Sequence, residues 1–505
     1  MRLTRYFSAL LVFFLFGICA KATTYTVQAS GGGSYTSISA CAAAAVAGDT
    51  CVVYAGSYSG WTQQASGAAG NPITFVANTG DTVTISGGVN ISGCSYITIS
   101  HFTLSGGVTG NGSSSHNTID HNIFNVSGSA FRINDGQGSN GSDNVFTDNK
   151  VNVSSSGNVV GVYLYGDRNL IQNNELVSTD GDCMDLGGMN VVVRNNYCHD
   201  LSNASSGEHI DFVQVVGGGN PTLSFSLIEN NVEQNCASNN CHFFIARTTG
   251  VGVADTIIVR YNYAQNLAAT GPVNYGGVGD NVPNGWFYNN TIAQTPDSEN
   301  GACASWQNAA NGVALNNICY NAATGPWAPF VGNAVGNGNI SYSTGFSGNW
   351  NAPYSSEATY NLLKNQNPLF ANYPTDGTLQ ASSPAIGAGV ALTTVAAGDS
   401  GSGTSLVVSN AHGLQPGWAA TQGDWIRIGP STTAQITAIN YSTNTITLAS
   451  SVSRSAGNPV YLYKDSSGKA RLTGSSPDVG AFPSGSTQTQ SNPPAPPTNL
   501  NAVVQ

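Results

Sequence analysis

A short phrase returns along the middle of this chain: a pair of mostly apolar residues, one further residue, then one or two asparagines. It reads Thr118-Ile-Asp-His-Asn122, Val145-Phe-Thr-Asp-Asn149, Leu170-Ile-Gln-Asn-Asn174, Val192-Val-Arg-Asn-Asn196, Leu227-Ile-Glu-Asn-Asn231, Ile258-Val-Arg-Tyr-Asn262, Trp286-Phe-Tyr-Asn-Asn290 and Val313-Ala-Leu-Asn-Asn317. Successive final asparagines lie 22 to 35 residues apart. A period in that range marks a solenoid, where each repeat buries its apolar face only by stacking on its neighbours.

The rungs are strand-rich and turn-rich. With 61 glycines and almost no helical periodicity, they exclude leucine-rich and helical repeats, and they lack the four-strand grammar of propeller blades. Stacked coils with one short strand per face remain. Asparagine at each corner has a physical reason: it tolerates the left-handed conformation, and its amide can bond the equivalent amide one rung away. These asparagines therefore read as scaffold.

The ends differ from the middle. Arg2 and Arg5 precede the apolar run Leu10 to Ile18, and Ala20-Lys21-Ala22 suits signal cleavage, so 1–22 is expected to be a signal peptide. The alanine-rich stretch Ser39 to Ala47, stopped by Gly48, predicts a short helix that caps the open first rung. Between Gly389 and Ser475 the texture changes to short alternating strands, such as Gly423-Asp-Trp-Ile-Arg-Ile-Gly429, which predict a compact antiparallel β module. The expected organisation is 1–22 signal, 23–388 solenoid, 389–474 inserted module, 475–483 closing segment and 484–505 a Pro/Ser-rich linker or the start of a truncated fibronectin III unit. The module is expected either to bind substrate or to form a lid on the solenoid end.

The cap with Gly48-Asp-Thr-Cys-Val-Val-Tyr-Ala-Gly-Ser-Tyr58 and the Asn-Asn rungs resembles the right-handed parallel β-helix proteins of the pectate-lyase-like superfamily, over roughly residues 23 to 388. Asn367-Pro-Leu-Phe, Ser382-Ser-Pro-Ala-Ile-Gly-Ala-Gly389 and Pro477-Asp-Val-Gly-Ala-Phe482 are similar to the closing segment of bacterial members. The resemblance implies an all-β, secreted, carbohydrate-active protein, extracellular or periplasmic and expected as a monomer.

Charge and cysteines narrow the class. A formal charge of -11 argues against nucleic acid, because phosphate neutralisation needs basic patches. No run after the signal is long and apolar enough for a membrane span. Cysteine spacing predicts the pairs Cys41–Cys51, Cys183–Cys198, Cys236–Cys241 and Cys303–Cys319, with Cys94 a buried thiol.

In a chain with only 8% charged residues, Asp180 to Arg247 gathers carboxylates, imidazoles and a guanidinium. Aligning rungs by their phrases places Phe131, Met184, Ile210 and Phe243 in one inward column and Ile133, Leu186, Phe212 and Ile245 in another. Arg132, Tyr163, Asp185, Asp211 and Phe244 then point outward, with His209 and His242 two residues earlier and Gln214 and Arg247 three later. Asp185 and Asp211 are expected on adjacent strands, where like charges repel. Arg194 and Arg260 sit directly before the Asn turns and are expected to be solvated or paired.

Three chemistries fit. In the first, calcium held by Asp182, Asp185 and Asp211 neutralises a uronate carboxylate in an extracellular polysaccharide, while His209 or Arg247 removes the proton α to it, giving a lyase or epimerase. Arg132, Tyr163, Gln214 and His242 would line the substrate. In the second, Asp185 and Asp211 are the carboxyl pair of a glycoside hydrolase. In the third, the solenoid binds glycans without catalysis, through Tyr163, Tyr165, Tyr275 and Trp306. Elimination stands slightly ahead of hydrolysis.

Overall fold

The structure, a computed structural model, describes residues 22–133, 141–155, 157, 159–178, 181–201, 210–216, 223–236, 241–247, 255–267, 273–274, 283–294, 303–306, 311–321, 330–332, 334–342, 363–364, 366–373 and 376–486. The expected signal peptide, His209, Tyr275 and most of the C-terminal linker lie outside them.

The chain coils into a parallel β-helix. Most turns contribute one strand to each of three sheets: a first of 13 strands from Thr24–Val27 to Ala334–Asn337, a second of 13 from Gly56–Ser59 to Leu363–Lys364, and a third of 10 from Val89–Asn90 to Phe330–Gly332. All pairings within them are parallel, so residues one turn apart stack in columns. Ile99, Ile119, Phe146, Ile171, Val193, Ile228, Val259 and Phe287 form one inward column, and Val108, Phe131, Val162, Met184, Val213 and Phe244 another. All are buried.

The asparagines hold the corner between the first and second sheets. Each backbone N–H donates to the side-chain oxygen of the asparagine one coil on, at 2.8 to 3.0 Å, from Asn122 to Asn339. The side-chain amide donates to carbonyls and to the next asparagine, as Asn231 does to Val193 and Asn262. The division of labour differs from expectation. The left-handed residue is the one before the ladder asparagine: His121, Asp148, Asn173, Asn195, Asn230, Tyr261, Asn289 and Asn316 all have φ between 51° and 59°. Asn-Asn thus splits the task, with the first residue turning the chain and the second bonding. A shorter ladder, Asn117, Asn144 and Asn169, holds the corner that enters the first sheet.

The capping helix spans Ile38–Ala44, capped by the Ser37 hydroxyl, which accepts from Ala40 N. It stops short of Ala47 because Ala45 is already extended and Val46 N donates to Asp49 Oδ2. Ile38, Cys41 and Ala42 are its buried face, and Cys41 is bonded to Cys51. Cys183–Cys198 and Cys303–Cys319 are also disulfides, and Cys94 is a buried free thiol. Cys236 is disulfide-bonded too, whereas the Cys241 side chain lies outside the described residues.

The inserted module is an antiparallel sheet of six strands from Thr393–Thr394 to Pro459–Lys464. It does not lid the solenoid end. It lies along the flank, because the outward side of the first sheet carries an apolar column, Leu170, Val192, Leu227, Ile258, Trp286 and Val313, that packs with Leu406, Trp418, Ile426 and Leu462 of the module. Arg260 is fully buried at this contact. Its Nε donates to Glu229 Oε2 at 2.8 Å, and its two terminal nitrogens donate to the Asp424 oxygens at 2.7 Å. Arg194 donates to Ser466 Oγ at 3.0 Å. Arg260 is therefore ion-paired, and Arg194 is hydrogen-bonded to neutral groups. Beyond the module the chain returns to where it left, with Gly389 N donating to Pro477 O and Val479 N to Ala385 O.

Candidate functional site

The outward side of the third sheet is free of the module and carries a polar ladder. Strand register stacks Asn90, Thr109, Arg132, Tyr163, Asp185 and Gln214 in one column, and a bridge extends it to Thr62. Its first members open into a cleft of about 560 Å³ beside the capping helix, lined by Ser39, Trp61, Gln64, Asn90 and Thr109. At ~4.8 Å per strand the column from Thr62 to Gln214 is about 29 Å long.

Burial increases along it. Arg132 is exposed, with its guanidinium 4.9 Å from the centre of the Tyr163 ring, and Tyr163 is half-buried. Asp185 is only 7% exposed. The Tyr165 hydroxyl donates to its Oδ1 at 2.6 Å. Burial pushes the Asp185 carboxyl up to about 7; the Tyr165 bond works against that rise, and the charge of Asp211 adds to it. Near neutrality such a group both gives and takes protons. Tyr165 is buried, and its hydroxyl is held far above the ordinary phenol range, mainly by burial and then by Asp185.

The expected partnership of Asp185 with Asp211 is not formed in register. Asp185 stands beside Gln214, and Asp211 beside His242 instead of Phe244. The segment Ile210-Asp-Phe-Val-Gln-Val-Val216 offers two in-out frames, because Phe212 and Val213 are both apolar. Stacking Val213 on Met184 selects the second frame. Phe212 and Phe243 still reach the interior, stacked at 4.9 Å. Asp182 fixes the register: its Oδ1 accepts from Asp211 N at 2.8 Å, and Cys183 N donates to Asp211 O. Asp211 has no exposed surface, so it is not placed to attack a sugar carbon. Arg247 ends the strand Cys241–Arg247, paired through its backbone with Val216, and its side chain lies outside the described residues, as does that of Trp306.

Calcium does not fit the expected trio. Asp182 is engaged by Asp211 N and Asp185 by Tyr165, and among the described residues the group whose ligand atoms all lie within 4.8 Å of one another is Asp120, His121 and Asp148. That group sits at the corner between the first and second sheets, and one of its three members is an imidazole, which calcium does not favour.

One residue escaped the sequence reading. Glu233 lies in the inward column of the second sheet, between Cys198 and Ala264. It is 0% exposed, and among the described residues neither carboxyl oxygen has a hydrogen-bond partner. A signal existed: Cys198 and Cys319 each stand two residues after a ladder asparagine, and Glu233 stands two after Asn231.

No protein-family model matches the chain, and no curated protein matches it. Similar solved structures include an alginate lyase from Paenibacillus sp. str. FPU-7, with 15% identity over 57% of this chain and 99% of that one and a TM-score of 0.42. Pectate lyase Pel9A has 15% identity over 73% and 92%, with a TM-score of 0.37. The GH136 lacto-N-biosidase from Eubacterium ramulus has 9% identity over 66% of each chain and a TM-score of 0.42. At these scores the likenesses carry no argument, and the parallel β-helix rests on the strand register of the chain itself.

Proposed function

We propose that the protein is an exported polysaccharide-active enzyme, most simply a lyase that cleaves a uronate-containing glycan by β-elimination, with Asp185 supplying the proton that the leaving oxygen takes up. The observation that carries the reading is the Asp185 carboxyl, set on an outward polar ladder, bonded to Tyr165 and raised to about 7. The ladder has the length and polar character that an extended glycan needs, with its Thr62 to Arg132 end exposed, and the disulfides suit an oxidising compartment. No helix of the described residues is long and apolar enough to cross a membrane.

In this mechanism Arg132 holds a uronate carboxylate, Tyr163 packs against a sugar face, and Gln214, on the far side of Asp185, bonds the glycan further along. A base, for which His209 and Arg247 are the proposed groups, removes the proton α to the carboxylate. The C–O bond at the β carbon breaks, a C=C bond forms, and Asp185 protonates the departing oxygen. Hydrolysis is the second reading: the same Asp185 proton would go to the glycosidic oxygen while water attacks the sugar carbon. The full burial of Asp211 favours elimination, because it leaves hydrolysis without the expected second carboxyl.

The test is a panel of uronate-rich and neutral polysaccharides, followed by both ultraviolet absorbance of unsaturated ends and release of reducing ends. Both signals together are expected. Reducing ends without absorbance would reject elimination in favour of hydrolysis, and neither signal on any glycan would reject the enzyme.

A further inference from the structure

The inward column of the second sheet runs Leu104, Phe124, Val151, Leu176, Cys198, Glu233, Ala264, Ile292 and Cys319. Eight of its nine members are apolar or disulfide-bonded and stabilise the core by burial. Glu233 forfeits that gain. Its carboxyl has no exposed surface and, among the described residues, no donor to either oxygen, and an ionised carboxylate so placed costs many kcal/mol. Only the neutral acid can be accommodated.

Its place on the coil is specific. Glu233 and Asp211 belong to the same turn, one on the second sheet and one on the third. The preceding turn joins the same two sheets with the Cys183–Cys198 disulfide; Cys198 stacks on Glu233, and Cys183 N donates to Asp211 O. Asp211 raises the carboxyls of both Glu233 and Asp185, in each case after burial itself. Among the described residues, few other groups bear on Glu233. The flanking strands of its own sheet present Cys198, held in its disulfide, and Ala264, while His242 lies in register with Asp211 and Asp182 accepts from Asp211 N.

We infer that Glu233 is carried as a neutral carboxylic acid inside the coil and forms with Asp211 an interior acid pair, a positioning element that keeps the proton on Asp185. The pair acts through Asp185 and touches no substrate. The inference rests on the proposed role of Asp185, but its test does not depend on turnover.

The experiment measures urea unfolding of the full chain between pH 4 and pH 9 for wild type, Glu233→Gln and Glu233→Met. A carboxyl raised in the folded state gives stability that is present below its unfolded value and lost as pH rises toward the folded one. The folding equilibrium constant of the wild type, relative to Glu233→Gln, should therefore fall with pH by up to about tenfold per unit above the ordinary glutamate range. Glu233→Met should follow Glu233→Gln in its pH dependence, which keeps the result readable if one variant folds poorly. A wild-type curve parallel to both variants would overturn the inference, whatever the glycan assays show. In a second arm, carbon-13 NMR follows the aspartate carboxyl that disappears in Asp185→Asn. Asp211→Asn should move its titration to lower pH; an unmoved titration would remove Asp211 from the element even if Asp185 proves essential for turnover.

Discussion

Replacing Arg260 with methionine tests how the module is held to the solenoid. The guanidinium is fully buried, faces Glu229 and Asp424, and also donates to the Tyr288 hydroxyl at 2.8 Å. Removing one partner of a buried ion pair costs about 3–5 kcal/mol, because the remaining charge stays desolvated. The lower end applies here. Asp424 keeps donors from Gln415 N and Nε2, Glu229 keeps the Ser466 hydroxyl, and Tyr288 still donates to Gly413 O. A loss of about 3 kcal/mol is expected from urea unfolding at pH 7, followed through the fluorescence of Trp286 and Trp418, which share the buried contact. Burial already raises the Glu229 carboxyl, with Arg260 opposing. Without the arginine that carboxyl rises further, so the deficit should grow as pH increases and shrink on acidification. Arg260→Lys keeps the charge but not the two-pronged contact, and should lie between wild type and Arg260→Met. A methionine variant within ~0.5 kcal/mol of wild type at pH 7, the ordinary range for surface changes, would refute the reasoning.

Three further outcomes follow from the same geometry. Asn231→Ala removes the acceptor of Asn196 N and the donor to Val193 O, leaving buried groups unmet at about 1–3 kcal/mol each, so chemical denaturation should show a deficit well above that of a surface Asn→Ala change. Replacing Cys183 and Cys198 by alanine opens a loop with a sequence separation of 15, and thermal unfolding should report a loss of about 3 kcal/mol. Turnover should decline as pH rises through about 7, because Asp185 acts in its protonated form, and Tyr165→Phe should move that decline upward by removing the bond that favours the ionised form.

The repeat made the fold legible, because a buried corner that recurs must use the same chemistry on every coil. Asn122 through Asn317 therefore announced both the coil and its register on the first and second sheets. The third sheet was harder to read. Arg132, Tyr163 and Asp185 align as their spacing suggests, but Ile210-Asp-Phe-Val-Gln-Val-Val216 has apolar residues in both frames, and the choice depends on Asp182 bonding to Asp211 N. That contact is tertiary and has no periodic signature. Arg260 is paired, one of the two states expected of it, but its partner was hidden for a related reason. It stands on an outward position of a strand, and only the module, more than 160 residues later, makes that position interior. Glu233 was legible in principle, since its offset from Asn231 is that of Cys198 from Asn196, but an acid in a core column is overlooked when cores are read from apolar residues alone.

The most direct test compares Asp185→Asn with wild type on whichever polysaccharide the wild-type protein cleaves, with far-UV circular dichroism and urea midpoints establishing that the coil is intact. The amide keeps the shape of the side chain and cannot give up a proton at neutral pH. Turnover at least a hundredfold below wild type is expected, on the order of what a positioned general acid contributes. A folded Asp185→Asn protein that cleaves the glycan at the wild-type rate would contradict the assignment of Asp185 and, with it, the placing of the site on the outward ladder of the third sheet.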